Sequence, residues 1–212
     1  MKWEQIPLGP LQTNAYVLYN EDNKEAIIFD PGGEGAKLNN WIKSEGLKPL
    51  AILLTHAHFD HIGAVDEVRE KWEIPVYIHK KESGWLSDPK KNGSALFMGV
   101  NAIKAKDADY LIKEEGQLEI GSYVLEVLET PGHSPGSVSY YFQKLGVVFS
   151  GDALFAGGIG RTDLPGGSYE VLMKSINSKL MELPENTVVA SGHGSLTRIG
   201  IEMDSNPFLS GM

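Results

Sequence analysis

The residue types best suited to binding a metal are concentrated in one short segment of the chain. The segment Thr55-His56-Ala57-His58-Phe59-Asp60-His61 holds three of the six histidines. Residues two apart on an extended backbone point to the same side, so the side chains of His56, His58 and Asp60 can converge. His61 begins the predicted helix that follows and points elsewhere. The spacing therefore predicts two adjacent cation sites, one at His56 and His58 and the other at Asp60 and His61.

Three further candidate ligands each follow a predicted strand and are flanked by glycine. His133 lies in TPGHSPG, Asp152 in SGD and His193 in SGHG. Glycine permits a close backbone approach and unusual φ and ψ angles. One such residue alone is more typical of a turn, but the shared position at strand ends indicates a common site. His79 matches no ligand motif, and we interpret it as an ordinary histidine.

The elements that must position these residues alternate between strands and helices. Short apolar runs bounded by turn residues predict buried strands, and an apolar residue every three or four positions predicts a helix. The runs predict strands over residues 13–20, 26–30, 50–54, 76–79 and 187–190, and also in YVLEVLE, SVSYYF and GVVFS. Helices are predicted over 34–45, over 61–72, and after Ser168 as N-cap. The stretch 84–106 has no clean period, and is predicted to be either a lid or binding loop or a variable surface loop.

The composition is that of an ordinary globular chain and excludes several classes of function. There are 19 Lys and Arg against 28 Asp and Glu, a net charge of −9, and no cysteine. Disulfides, iron–sulfur clusters, thiolate zinc fingers and a cysteine nucleophile are therefore excluded. The acidic charge argues against a nucleic-acid or membrane-surface partner. No signal peptide or membrane-spanning run is present, so a single cytoplasmic domain over residues 1–212 is expected.

Four motifs carry a resemblance to a known family: THAHFDH, TPGHSPGS, GDALFAGGIGRTDLPGG and SGHG. They resemble those of the metallo-β-lactamase-fold hydrolases, and within them the glyoxalase II-like (hydroxyacylglutathione hydrolase-like) branch. The resemblance runs from about Thr13 to about Phe208. It implies an α/β (α+β) fold, the four-layer αββα sandwich, with metals at one edge of the two sheets. Fewer than twenty residues follow His193, so the chain resembles the short relatives that lack the C-terminal helical domain.

The resemblance also implies a full set of seven metal ligands. His56, His58 and His133 would hold the first metal, Asp60, His61 and His193 the second, and Asp152 would bridge both. Two divalent ions are thus expected, with zinc preferred and iron or manganese as alternatives, because His and Asp ligation admits all three. Asp60 would also orient the nucleophile and so act as the catalytic residue. Asp30 would be an outer-shell partner of the ligands, as would Thr55.

The implied reaction is hydrolysis of a small acyl-thiol conjugate such as S-lactoylglutathione. A hydroxide bridging the two metals would attack the acyl carbonyl. A thiolate leaves with little protonation, which is consistent with a site that shows no dedicated general acid. Arg161, in the loop after Asp152, either binds a substrate carboxylate or forms an ion pair with Asp163. The oligomeric state is left open.

Three alternatives remain open at this point. Persulfide dioxygenases share the fold and use one iron held by two His and one Asp, here His56, His133 and Asp152. Lactonases, β-lactamases and tRNA-processing nucleases are further hydrolases of the fold, although the acidic charge disfavours a nuclease. A non-catalytic metal protein is disfavoured because the seven ligands look like an open site rather than a closed structural one.

Overall fold

The computed structural model describes residues 1–99 and 101–209, and the chain divides into two compact units. The first unit contains residues 1–113 and 120–122, and the second contains residues 114–119 and those from Tyr123 onward. Each unit has a six-stranded sheet and its own cluster of buried apolar side chains. Nothing in this division tests the expectation of one domain over 1–212, which stays a prediction.

The first unit places several loops at one edge of its sheet. Its strands pair in chain order from β1 to β6, antiparallel from β1 to β3 and parallel from β3 to β6. Since parallel strands end at the same edge, the segments after β3, β4 and β5 emerge together. The elements are β1 (Lys2–Leu8), β2 (Thr13–Tyr19), β3 (Glu25–Phe29), α1 (Gly35–Ser44), β4 (Lys48–Leu53), α2 (Phe59–Ile62), α3 (Val65–Trp72), β5 (Val76–His79) and β6 (Tyr110–Ile112).

The helix predicted over residues 61–72 is two helices, α2 and α3, separated at Gly63 and Ala64. The backbone of this break packs on the turn after β3. Ala64 N–H donates to the carbonyl of Pro31 over 2.9 Å. A Cβ on Gly63 would stand 2.4 Å from the carbonyl oxygen of Gly32. The apolar stripe was consistent with one helix, but this contact between distant backbone segments interrupts it.

The predicted loop 84–106 is tied down by hydrogen bonds of its own. Asn92 Nδ2 donates to the carbonyl of Ile103 over 2.9 Å, and Ile103 N–H donates to Ser94 Oγ over 3.0 Å. Asn92 and Ser94 are fully buried. Short 3₁₀ turns span Lys80–Trp85 and Ser94–Leu96. Val100 of this stretch lies outside the described residues.

The second unit brings two glycine-flanked segments together. Its sheet order is β14-β13-β10-β9-β8-β7, and β10 and β13 are parallel neighbours. Gly192 N–H donates to the carbonyl of Gly151 over 2.7 Å at the ends of these strands. The elements are β7 (Gly116–Ile120), β8 (Tyr123–Glu129), β9 (Val138–Phe142), β10 (Val147–Gly151), β11 (Leu154–Phe155), β12 (Gly158–Ile159), α4 (Tyr169–Ser175), β13 (Val188–Ser191), β14 (Thr197–Arg198) and α5 (Ile199–Ser205).

The helix predicted after Ser168 is confirmed, but it changes character half-way. Ser168 Oγ accepts the N–H of Val171 as an N-cap. The α-helix ends at Ser175 and continues as a π-helical turn over Ile176–Leu180. Other predicted elements are found within one or two residues of their expected bounds, the usual uncertainty at strand and helix ends. Within residues 1–99 and 101–209, no helix has the length and apolarity to cross a membrane.

Candidate metal centre

The first unit gathers three histidine rings after strand β4. The ring centroids of His56 and His58 are 4.8 Å apart, and those of His56 and His61 are 4.1 Å apart. All three rings are almost fully buried. The carboxylate of Asp60 is partly exposed, and its Oδ2 lies 3.6 Å from Nε2 of His61. The four donors that the sequence motif predicted are therefore adjacent in this unit.

Asp30 fixes the orientation of two of these histidines. Its Oδ1 accepts the N–H of Thr55 over 2.8 Å, and its Oδ2 accepts the Thr55 hydroxyl over 2.6 Å. The same Oδ2 lies 3.0 Å from Nδ1 of His61. Since a carboxylate only accepts, His61 must carry its proton on Nδ1 in this contact. Nε2 is then the atom of His61 that can bind a metal.

Thr55 extends this hydrogen-bond chain from Asp30 to His56. The Thr55 hydroxyl gives its proton to Asp30, so its oxygen accepts from Nδ1 of His56, which lies 3.0 Å away. His56 is thereby held in the tautomer that presents Nε2 as the donor atom. Asp30 itself has a left-handed backbone, with φ of 45°. Aspartate is one of the few non-glycine residues that adopt this region readily.

Three contacts that sequence reasoning missed hold the remaining part of this loop. Thr13 Oγ1 donates to Asp60 Oδ2 over 2.8 Å, and Ala57 N–H donates to Glu82 Oε2 over 2.6 Å. Glu82 has no exposed surface, and the ring of Trp85 lies 6.1 Å from that of His58. Both belong to the 3₁₀ turn after β5. Glu82 lies in the polar run HKKES, so nothing in the sequence indicated that it is buried or what it contacts.

The second unit arranges two histidines around one carboxylate. Asp152 Oδ2 lies 3.6 Å from Nε2 of His133 and 3.6 Å from Nε2 of His193. His133 is buried, whereas about 30% of the His193 side chain is exposed. The three glycine-flanked residues predicted from the sequence are therefore neighbours in this unit.

The main chain, not a carboxylate, orients His133. Its Nδ1 lies 2.7 Å from the carbonyl oxygen of Arg161, so the proton is on Nδ1 and Nε2 is again the donor atom. The guanidinium of Arg161 makes two hydrogen bonds of 2.7 Å to Asp163. Arg161 thereby lowers the pKa of the exposed Asp163 carboxyl to about 2. The ion pair that the sequence raised for Arg161 is thus present, and its contact with a substrate stays a prediction.

Glycines allow the backbone of the second unit to close around Asp152. A Cβ on Gly160 would stand 1.8 Å from the carbonyl oxygen of Asp152 and 3.2 Å from Cβ of His133. Gly132 has φ of 132°, and a Cβ there would stand 2.2 Å from the backbone nitrogen of Leu172. Only glycine fits at either position, so these two residues set the spacing between the donor segments.

The donor sets of both units fit a divalent cation. A separation of 3.6 Å between Nε2 and Oδ2 is too long for a hydrogen bond. Two ligands about 2.1 Å from one tetrahedral metal lie roughly 3.4 Å apart, close to this spacing. Imidazole nitrogen and carboxylate oxygen are donors that zinc, iron and manganese accept. The chemistry of the residues and their spacing therefore suit metal binding in each unit.

Comparison with known proteins decides the family. The profile of the Metallo-beta-lactamase superfamily matches residues 8–193. The chain belongs to this superfamily. The α/β metallo-β-lactamase fold expected from the sequence is thereby confirmed, as is the broader expectation of a metal-binding hydrolase family. The glyoxalase II-like branch within the superfamily is not established by this match.

Relatives within the superfamily cover nearly the whole chain. The Probable metallo-hydrolase YqgX of Bacillus subtilis is 60% identical over 211 residues, which span 100% of this chain and 99% of that protein. Hydroxyacylglutathione hydrolase GloC of Haemophilus influenzae is 37% identical, with 99% of each chain covered.

Two solved structures are similar over comparable lengths. The crystal structure of BLEG-1 B3 metallo-beta-lactamase has a TM-score of 0.97 and 62% identity, covering 99% of this chain and 100% of that one. The crystal structure of TTHA1623 in a di-iron-bound form has a TM-score of 0.84 and 40% identity, covering 97% and 100%. The names of these relatives thus range from a hydroxyacylglutathione hydrolase to a β-lactamase.

Proposed function

We propose that this protein is a binuclear metal-dependent hydrolase that cleaves hydroxyacyl thioesters such as S-lactoylglutathione. The observation that carries the proposal is the repeated spacing of 3.6 Å between a histidine Nε2 and a carboxylate Oδ2, found once in the first unit and twice in the second. Similarity to hydroxyacylglutathione hydrolase GloC supports the thioester as the substrate class.

The proposed metal ligands are the seven residues that the resemblance implies: His56, His58, Asp60, His61, His133, Asp152 and His193. Zinc is the metal we propose, because His and Asp donors in an open site suit it. A relative of 40% identity occurs in a di-iron-bound form, which keeps iron as the alternative. When bound, the ions would supply an activated water and polarise the substrate carbonyl.

The residues around the ligands have their own proposed tasks. Asp60 is held by the Thr13 hydroxyl at Oδ2, so its carboxylate keeps one direction while it remains partly exposed to the substrate side. Asp30 holds the protons of His56 and His61 on Nδ1, directly for His61 and through Thr55 for His56. A thiolate leaving group has a lower proton affinity than an amine, which is consistent with hydrolysis that uses no separate acid.

The proposal is tested on protein purified without added metal. Metal content is measured first, and thiol release from S-lactoylglutathione is then followed with the protein loaded with zinc or iron. We expect two metals per chain and thiol release that stops on chelation and returns with metal. Asp60→Asn keeps an oxygen that can accept from the Thr13 hydroxyl. Because it replaces a proposed metal ligand, we expect its rate of thiol release to fall by more than the roughly 10- to 100-fold that follows loss of an outer-shell partner.

The same samples distinguish the proposed hydrolase from a persulfide dioxygenase. A persulfide dioxygenase would hold one iron per chain, consume oxygen with glutathione persulfide and release no thiol from a thioester.

Asp22→Asn, a change on an exposed turn, is the matched control for Asp60→Asn. Fully metallated protein that hydrolyses no thioester would refute the proposed function.

A further inference from the structure

The first unit contains a pocket whose wall includes Asp60. Its volume is about 380 Å³, near the lower end of the range for small-molecule sites. Asp60 and Thr13 stand on one side of it, and the turn between β1 and β2 stands on another. Its wall is mainly apolar, and the apolar side chains are Leu8, Pro10, Leu11, Phe59 and Ile103.

Hydrogen bonds hold the rim of this pocket in shape. Glu34 Oε2 accepts the N–H of Gly9 over 2.8 Å, across 25 residues of sequence. Gln12 folds back on the same turn, because its N–H and its Nε2 both donate to the carbonyl of Gly9, over 3.1 and 2.8 Å. Gly33 packs against the same turn, because a Cβ on Gly33 would be 3.1 Å from Cα of Gly9. The pocket is therefore largely formed before a ligand arrives.

Acidic side chains are the ionisable groups on the described wall of the pocket. Among the described residues that line it, the ionisable side chains are Glu34 and Asp60. Lys37 lies nearby, but its Nζ donates to the carbonyl of Pro7 over 2.9 Å and lies 3.6 Å from Glu34. Since Asp60 is a proposed metal ligand, Glu34 is the carboxylate left to act on a ligand in the pocket. A ligand carboxylate placed here would be desolvated by an apolar wall and would face the Glu34 carboxylate, whose charge Lys37 partly offsets.

We propose that this pocket binds the acyl chain of the substrate, and that it selects uncharged, apolar chains over chains that end in a carboxylate. The inference rests on the proposed thioester hydrolysis and extends its substrate class from hydroxyacyl groups such as lactoyl to longer apolar acyl chains. The pocket lies near the small end of the range for small-molecule sites. That suits a medium-length acyl chain, whereas a tripeptide thiol is larger and carries two carboxylates.

The test uses zinc-loaded protein and thioesters of one neutral thiol, N-acetylcysteamine. The acyl groups are acetyl, butyryl, hexanoyl and adipoyl, the last being hexanoyl with a terminal carboxylate. We expect kcat/KM to rise by about fourfold for each methylene buried, up to hexanoyl. The adipoyl thioester should fall at least about tenfold below the hexanoyl one. A flat series, or an adipoyl thioester as good as hexanoyl, would overturn the proposal.

Two pairs of variants locate the selectivity. Glu34→Gln keeps an acceptor for Gly9 N–H and should raise the adipoyl-to-hexanoyl ratio of kcat/KM several-fold. Glu45→Gln is its control, because it removes an equal charge from an exposed position outside the pocket and should leave this ratio unchanged. Leu11→Asn should lower the hexanoyl-to-acetyl ratio. Leu96→Asn is its control, because Leu96 is 51% exposed against 52% for Leu11 and lies outside the pocket. Equal effects within either pair would contradict the assignment.

A binding measurement separates this inference from the proposed function. Hexanamide, acetamide and adipamic acid are not thioesters, and their binding to the zinc-loaded protein can be followed by ligand-observed NMR. If no thioester is hydrolysed but hexanamide still binds more tightly than the other two, the function fails and the pocket assignment stands. If thioesters are hydrolysed and the three amides bind equally, the pocket assignment fails alone.

Discussion

The two units hold their candidate metal ligands by different means. In the first unit, side-chain carboxylates orient the ligand loop, since Asp30 contacts Thr55 and His61, and Glu82 contacts Ala57. In the second unit, a main-chain carbonyl orients His133, and glycine at 132 and 160 lets the donor segments approach. The first arrangement depends on buried carboxylates, and the second depends on a main-chain hydrogen bond and on close backbone packing.

The difference predicts which substitutions each unit tolerates. A loop held by buried carboxylates should be sensitive to isosteric replacement of those acids, because a buried donor that loses its acceptor costs free energy. A site held by close backbone packing should be insensitive to nearby charge and sensitive to a single added methyl group. The four substitutions below test this contrast, starting with the largest expected effect.

Gly160→Ala should have the largest effect. The added Cβ would stand 1.8 Å from the carbonyl oxygen of Asp152, which is a backbone atom and cannot rotate away. We expect a loss of about 2 kcal/mol or more in the free energy of unfolding, measured by urea denaturation, together with weaker metal retention. Gly84→Ala is the control, because a Cβ there meets nothing within 4 Å. Wild-type metal retention in Gly160→Ala would refute the packing argument.

Asp30→Asn should come next. Asparagine tolerates the left-handed backbone of residue 30, so the change isolates the loss of the second carboxylate oxygen. That loss leaves the amide NH2 group facing either the Thr55 N–H or both the Thr55 hydroxyl and His61 Nδ1. We expect metal affinity to fall by about 10- to 100-fold in competition with a chelator. Asp22→Asn should bind metal as the parent protein does, and equal affinities in the two variants would exclude the proposed relay.

Glu82→Gln should have a smaller effect of the same kind. Glutamine keeps an oxygen that can accept from Ala57 N–H, now without the charge that strengthens the bond. We expect metal affinity to fall by roughly 10-fold or less, near the lower end for an outer-shell partner. Glu82→Ala should weaken it further. If both variants fold and bind metal like the parent, Glu82 has no part in holding the loop.

Arg161→Ala should have the smallest effect on the metal. His133 is held by the carbonyl of residue 161, which any residue supplies. The substitution should instead return the pKa of Asp163 from about 2 towards the ordinary value of an aspartate, 3.8, as measured by NMR titration. Because this pKa is lowered in the folded protein, the ion pair contributes above the unfolded pKa and is lost as the pH falls through about 2. A large loss of metal affinity would show that the guanidinium matters.

Much of the fold and the candidate site could be predicted from local sequence. Buried strands were recognised as apolar runs, and the Ser168 cap was recognised from its residue type. The residues His56, His58, Asp60 and His61 were grouped by spacing alone, and they are neighbours in the first unit. Local patterns carry this information because they depend on residues a few positions apart.

The features that the sequence missed depend on contacts between distant residues. The helix over 61–72 is broken because Gly63 and Ala64 pack on the turn of Pro31 and Gly32. Thr13 contacts Asp60 across 47 residues, and Glu82 contacts Ala57 across 25. No local periodicity encodes such pairs, so their partners can be identified only from the folded structure.

The sequence by itself determined the chemistry of this protein, because residue type alone decides that imidazole and carboxylate, and no thiolate, are available for a metal. The tertiary structure alone decided which nitrogen of His56, His61 and His133 faces a metal. That choice depends on the group that each Nδ1 contacts, which is Thr55, Asp30 or a main-chain carbonyl. The position of Glu34 at the pocket beside Asp60 was likewise decided by folding, because only folding brings Glu34 to the turn between β1 and β2.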